Sequence, residues 1–151
     1  MKVTVLMRNE HEALKALFNS YKKPGARKQG GTREFFNEIR REILIHQQME
    51  SEIFYPALAA TSSSRATELV SRAEKEHRTV ENLLQELSGM SGQEKNFESK
   101  MDSLMEEVLR HIKSEEEETF DEARKNFPEV RLEELGLEME DRRKILTAIA
   151  A

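Results

Sequence analysis

The stretch Ile39-Arg40-Arg41-Glu42-Ile43-Leu44-Ile45-His46-Gln47-Gln48-Met49-Glu50-Ser51-Glu52-Ile53-Phe54-Tyr55-Pro56 decides how the chain is read. Apolar side chains at Phe35, Ile39, Ile43, Ile53 and Ala57 share one stripe with His46 and Glu50, in steps of three and four. That spacing is one face of an α-helix turned towards a core. An ionised carboxylate in such a stripe costs several kcal/mol unless it is paired or bound to a cation. His46 and Glu50, at i and i+4, lie one above the other and can share one ligand. This helix therefore carries either a costly buried pair or a metal, and the other helices decide between them.

Working outward, a first helix is expected over residues 2–23, with the stripe Met7, His11, Leu14, Phe18 and Tyr21. Pro24-Gly25 ends it, and a polar loop continues to Gly30-Gly31. The second helix spans 32–60, and Pro56 is expected to kink or loosen its last turn. The third spans 65–88, with Ala66, Val70, Ala73, His77, Val80, Leu84 and Leu87 in its stripe and Glu81 at the edge. The fourth spans 94–126, with Phe97, Met101, Leu104, Val108, His111 and Glu115. Residues 129–151 read as a short helix, a break near Gly136 and a last helix through Leu146. The expected fold is all-α: an up-down-up-down four-helix bundle over residues 1–127, with a short C-terminal helical extension over 128–151 packed on it. The helices share a plan, but no internal repeat is claimed.

Composition agrees with that fold. Of 151 residues, 35% are charged, and the few Pro and Gly fall mainly between periodic segments. The absence of Cys excludes disulfides, thiolate catalysis and iron–sulfur clusters. A net charge of -5 argues against a nucleic-acid partner. The basic residues Lys22-Lys23 and Arg27-Lys28 read as a solvated loop. The apolar run Val3-Thr4-Val5-Leu6-Met7 is too short for a signal peptide, and no run approaches a membrane span. A cytoplasmic protein without a membrane partner is expected.

The four histidines, His11, His46, His77 and His111, fall on four different helices, each in its apolar stripe. Three are followed at i+4 by a glutamate: His46/Glu50, His77/Glu81 and His111/Glu115. Counted from the connecting loops at about 1.5 Å per residue, neighbouring histidines differ in height by about 3, 3 and 9 Å. Fraying around the third loop can absorb much of the last figure, so all four imidazoles fit one layer. Four imidazoles and three carboxylates in a buried layer call for cations, and two ions account for them. Nitrogen and oxygen donors without thiolate suit non-haem iron best, then manganese or zinc. Each ion takes two histidines, shares bridging carboxylates and keeps an open position. In the run Glu115-Glu116-Glu117-Glu118, Glu115 is in phase with His111 and Glu116 is the runner-up ligand. The methionines read as packing.

On these residues the chain resembles the hemerythrin-like, or HHE cation-binding, family of four-helix bundles with a non-haem di-iron centre. The matching motifs are Asn9-Glu10-His11-Glu12-Ala13-Leu14, His46-x-x-x-Glu50 with Ile53-Phe54-Tyr55-Pro56, Glu76-His77 through Leu84, and His111-x-x-x-Glu115 with Phe120. The resemblance implies that His11 and His46 bind one iron, that His77 and His111 bind the other, and that Glu50 and Glu115 bridge. The family's oxygen carriers have a second histidine four residues after the first in the third helix. Glu81 stands there instead, which favours the ferric state and speaks against reversible oxygen carriage.

Two functions follow as expectations. One is redox chemistry with a small oxidant, either dioxygen, nitric oxide or hydrogen peroxide, with Glu81 holding the second iron; this could extend to peroxidase-like turnover. The other is an iron- or oxygen-sensing module with a structural di-metal site, the C-terminal segment facing a partner. A phosphotransfer bundle is set aside because its histidine must be exposed. A ferritin-like ferroxidase is set aside because Glu74-x-x-His77 has no second copy.

Overall fold

A computed structural model describes residues 1–26 and 31–150, and every regular element among them is helical. α1 (Val3–Lys22) is followed by α2 (Gly31–Met49), which passes through a π-helical turn (Glu50–Phe54) into α3 (Tyr55–Ala59). α4 (Ser64–Ser88) comes next, opened by Ser63, whose hydroxyl accepts from the Ala66 N–H. α5 (Phe97–Ser114) passes through a second π turn (Glu115–Thr119) into α6 (Phe120–Asn126), and α7 (Glu129–Ala150) closes the chain. The rods α1, α2–α3, α4 and α5–α6 form the four-helix bundle, and α7 lies against α1 and α2. The expected basic loop is partly visible: Lys22 and Lys23 are exposed, whereas Arg27, Lys28 and Gly30 lie outside the described residues.

The apolar stripes close into two clusters. One gathers Val3, Met7, Met49, Phe54 and Leu58 with Leu132, Leu135 and Met139 of α7. The other gathers Leu14, Phe18, Phe36, Ile39, Leu84, Phe97 and Leu104. Each such side chain, when fully buried, contributes about 1.5–3 kcal/mol. Arg33 ties the second cluster's end together by donating to the carbonyls of Leu87, Ser88 and Met90 at 3.1, 3.0 and 2.8 Å. It thereby satisfies acceptors that the end of α4 leaves open.

One expectation is corrected. No break occurs near Gly136, because α7 runs through it. A Cβ there would stand 1.9 Å from the Met1 carbonyl oxygen, so glycine serves the close approach of the N-terminal strand of chain to the helix. Pro56, expected to kink or loosen its last turn, follows directly on the π turn, and its rod continues to Ala59. The Tyr55 N–H reaches back to the Glu50 carbonyl across the π turn, and Pro56 falls in the first turn of α3, where a missing N–H is tolerated.

Candidate metal centre

The four histidines sit where one apolar cluster hands over to the other. His11 follows Met7 and precedes Leu14; His77 follows Ala73 and precedes Val80. All four are buried, as are Glu50 and Glu115. About half of the 9 Å height mismatch disappears because α5 starts at Phe97 rather than at residue 94.

The side chains converge in two groups. His11, His46, Glu50 and Glu115 bring their donor atoms within 4.8 Å of one another, and so do Glu50, His77 and His111. His11 Nε2 and His46 Nε2 are 3.2 Å apart, and each is 3.2 Å from a carboxylate oxygen, of Glu115 and Glu50 respectively. His77 Nε2 and His111 Nε2 are 3.3 Å apart, with Glu50 Oε1 3.1 Å from the former and Glu115 Oε2 3.4 Å from the latter.

The outer nitrogens decide what the inner ones can do. His11 Nδ1 donates to Glu116 at 2.7 Å, His46 Nδ1 to Glu10 at 2.8 Å and His111 Nδ1 to Glu76 at 2.8 Å. A carboxylate partner holds the proton on Nδ1 and turns the Nε2 lone pair inward, the arrangement typical of metal-binding imidazoles. Lone pairs of His11 and His46 therefore face each other at contact distance. Glu50 Oε2 and Glu115 Oε1 are buried without a hydrogen-bond partner among the described residues. Cations between these groups would satisfy all of them, and imidazole nitrogen with carboxylate oxygen is a donor set that metal cations take.

Protons can do part of the same task. Burial pushes the His46 imidazole down, but the Glu50 and Glu10 carboxylates outweigh it and raise the group from 6.5 to about 10. Burial opposes charge on His111 too, and Glu115, Glu50 and Glu76 again carry it well above its ordinary value. Glu50 moves the other way: burial raises it, while His46, Glu115 and His111 together hold it well below the usual carboxylate range. Tyr55 is pushed well above its ordinary value by burial and by Glu115 and Glu50.

The structure thus brings together His11, His46, Glu50, His77, His111 and Glu115. It does not bring Glu81. That side chain is exposed beside Arg40 and Gln85 on the outside of the bundle. In a regular helix a step of four residues advances by about 40° beyond a full turn. Glu81, in regular α4, has rotated past the His77 face to the surface. Glu116 is not beside the inner nitrogens; it supports His11 from behind.

Three further residues belong to the site. Glu10 and Glu76 orient His46 and His111, and the repeated dipeptide Glu10-His11 and Glu76-His77 was their signal in the sequence. Tyr55 donates to Glu115 Oε2 at 2.5 Å, and its oxygen is 3.3 Å from both His77 Nε2 and His111 Nε2. A cleft of about 250 Å³ reaches Glu10 and His46, with Arg143 of α7 on its wall.

These contacts also reveal the repeat that the sequence reading does not claim. Glu10, His11, His46 and Glu50 on the first two rods correspond to Glu76, His77, His111 and Glu115 on the last two. The paired histidines are separated by 35 and 34 residues in the two halves. Both glutamates of the His-x-x-x-Glu motifs open a π turn.

Comparison with known proteins agrees with this site. The family model for the hemerythrin HHE cation binding domain matches residues 3–123. A solved hemerythrin HHE cation binding domain-containing protein from Mycobacterium kansasii superposes with a TM-score of 0.83, covering 97% of this chain and 87% of its own at 24% identity. A "DNA nickase" of Nostoc sp. (strain PCC 7120) is 21% identical over 138 residues, 91% of this chain; the match spans 38% of that longer protein.

Proposed function

This chain belongs to the hemerythrin HHE cation-binding family, and on that premise we propose that it is a non-haem di-iron protein that binds or reacts with a small oxidant. The observation that carries this reading is the set of inward Nε2 atoms of His11, His46, His77 and His111 around two buried carboxylates with unpartnered oxygens. His11, His46, Glu50 and Glu115 would hold one ion, and His77 and His111, with Glu50, the other. Manganese or zinc can substitute, since imidazole and carboxylate do not discriminate strongly among these ions. When bound, the ions supply redox equivalents and a Lewis-acidic position for dioxygen, nitric oxide or hydrogen peroxide.

The chain's own residues provide the rest. Glu10, Glu76 and Glu116 fix the orientation of three imidazoles and turn their Nε2 atoms inward. The Tyr55 hydroxyl, within reach of His77, His111 and Glu115, holds a proton beside the second pair of imidazoles. Phe54, Phe120, Met7 and Met49 wall the layer with apolar surface and keep bulk water away from it. Among the described residues, no helix is long and apolar enough to cross a membrane. A cytoplasmic setting, where ferrous iron is available, suits the reading, with neither nucleic acid nor membrane as partner.

The experiment is anaerobic reconstitution with ferrous iron, measurement of iron per chain, and absorption spectra after adding azide or peroxide. About two ions per chain and a ligand-to-metal charge-transfer band are expected. Less than one iron per chain sinks the proposal.

A second reading has one contact in its favour. Arg143 of α7 lies 3.7 Å from Glu10 Oε2, the carboxylate that orients His46, and pairs with Glu42 at 2.7 Å. The last helix is thereby tied to the site, as an iron or oxygen sensor requires. Loss of α7 protection from proteolysis on chelation would favour sensing.

A further inference from the structure

Among the positions at which the two halves of the centre differ, two pairs bear on how tightly each would hold a cation. The residue after each π-turn glutamate is Glu116 in one half and Ser51 in the other. Glu116 accepts from His11 Nδ1 at 2.7 Å and pairs with Arg8 at 3.3 Å on its outer side. Ser51 makes no such contact: its hydroxyl points to Glu74 at 3.4 Å, and His77 Nδ1 is buried with no hydrogen-bond partner among the described residues. Five residues after each glutamate stand Tyr55 and Phe120. The His11 ring stacks parallel on Phe120, with centroids 5.8 Å apart and 2° between planes. Tyr55 meets His77 obliquely, and its hydroxyl engages the Glu115 oxygen that faces His111.

We propose that the two cation positions differ in affinity: the His11/His46 position fills first and releases last, and Glu116 is the positioning residue that sets the order. This rests on the reading of the layer as a two-cation site. The His11/His46 position has four converging donors and both imidazoles supported by carboxylates. The His77/His111 position has three converging donors, one supported imidazole and one fewer negative charge behind it. Removing a supporting carboxylate of this kind typically costs 10–100-fold in metal affinity. His77 lacks its support from the start, so an affinity gap of about that size separates the positions.

The test is titration of the chelator-treated protein with cobalt(II) alone, followed by its visible absorption and by competition with a chromophoric chelator. The unaltered chain should bind in two steps separated by at least about tenfold. His11→Ala should lose the tight step and His77→Ala the weak one. Glu116→Ser, which places in one half what the other already has, should weaken the tight step by about 10–100-fold and merge the two. Glu116→Gln, which still accepts from His11 Nδ1 but carries no charge, should fall between and guards against misfolding of the serine variant. Two equal steps in the unaltered chain, loss of the tight step in His77→Ala, or an unchanged tight step in Glu116→Ser would overturn the inference while leaving the two-cation reading intact. Absence of any cobalt binding would overturn both.

Discussion

Tyr55 and Glu115 join the two π turns across the core, the phenol donating to the carboxylate at 2.5 Å. Both partners are about fully buried, so neither can turn to water when the other is removed. Tyr55→Phe should destabilise the chelated protein by about 1.5–3 kcal/mol, the range for a hydrogen bond to a charged group. Urea unfolding followed by helical circular dichroism measures this. A variant as stable as the parent would mean that the bond contributes nothing.

The protonated histidines give the chelated protein a definite pH profile. His46 is held at about 10 in the fold against an ordinary 6.5, so its contribution is complete below 6.5 and is lost as pH rises towards 10. His111 is raised and acts in the same direction. Glu50 is held below its ordinary 4.5, so its contribution is present above 4.5 and is lost on further acidification. Denaturation midpoints of the chelated protein should therefore be highest between about 4.5 and 6.5 and fall on the alkaline side. Iron loading should flatten the alkaline fall. A midpoint that rises between pH 7 and 9 after chelation contradicts the assignment.

Glu50 and Glu81 make a contrasting pair. Glu50 offers oxygens to both groups of imidazoles, whereas Glu81 is exposed. Glu50→Gln should lower the affinity for both ions by more than the roughly 10–100-fold typical of a supporting residue. Glu81→Gln should leave metal content unchanged. Loss of iron in the Glu81 variant, measured by plasma emission, would restore that residue to the centre.

Gly136→Ala tests the seam between α7 and the start of the chain. The added methyl meets the Met1 carbonyl at 1.9 Å and lies 3.1 Å from the Val3 nitrogen. Alanine improves helix propensity by about 1 kcal/mol, and overpacking of this kind costs about 1–3 kcal/mol. Because Val3 is fully buried, the displaced segment pulls a core side chain with it, and net destabilisation is expected. Thermal melting with iron content measured in parallel checks this: Tm should fall while metal content stays constant.

Much of this could be read in the chain itself. Apolar steps of three and four placed four helices and four histidines, and the cost of a charge in an apolar stripe singled out Glu50 and Glu115. Glu81 misleads because an i+4 step also carries a residue about 40° round the rod, and only the packing of neighbouring rods decides whether that flank is covered. Glu50 and Glu115, reached by the same step, are buried, whereas Glu81 is exposed. Tyr55 lay inside a quoted motif, but its partners are 22 to 60 residues away, and no local period reports them. Glu10 and Glu76 look like surface glutamates in sequence. Only the packing of neighbouring rods places them behind the next helix's imidazole.

The π turns also set where the chain can change length. Each widened turn holds one residue more than an α-turn, so its five residues sweep about the angle that four sweep in an α-helix. Deleting a single residue between 51 and 54 would restore an α-turn and leave Tyr55 and all that follows in about the same phase. The same deletion between 116 and 119 would leave Phe120 on the His11 ring. Deleting a residue between His46 and Glu50, or between His111 and Glu115, where the helices are regular, would swing the glutamate by about 100° away from its imidazole. Surface connections such as 89–96 can gain or lose residues at little cost.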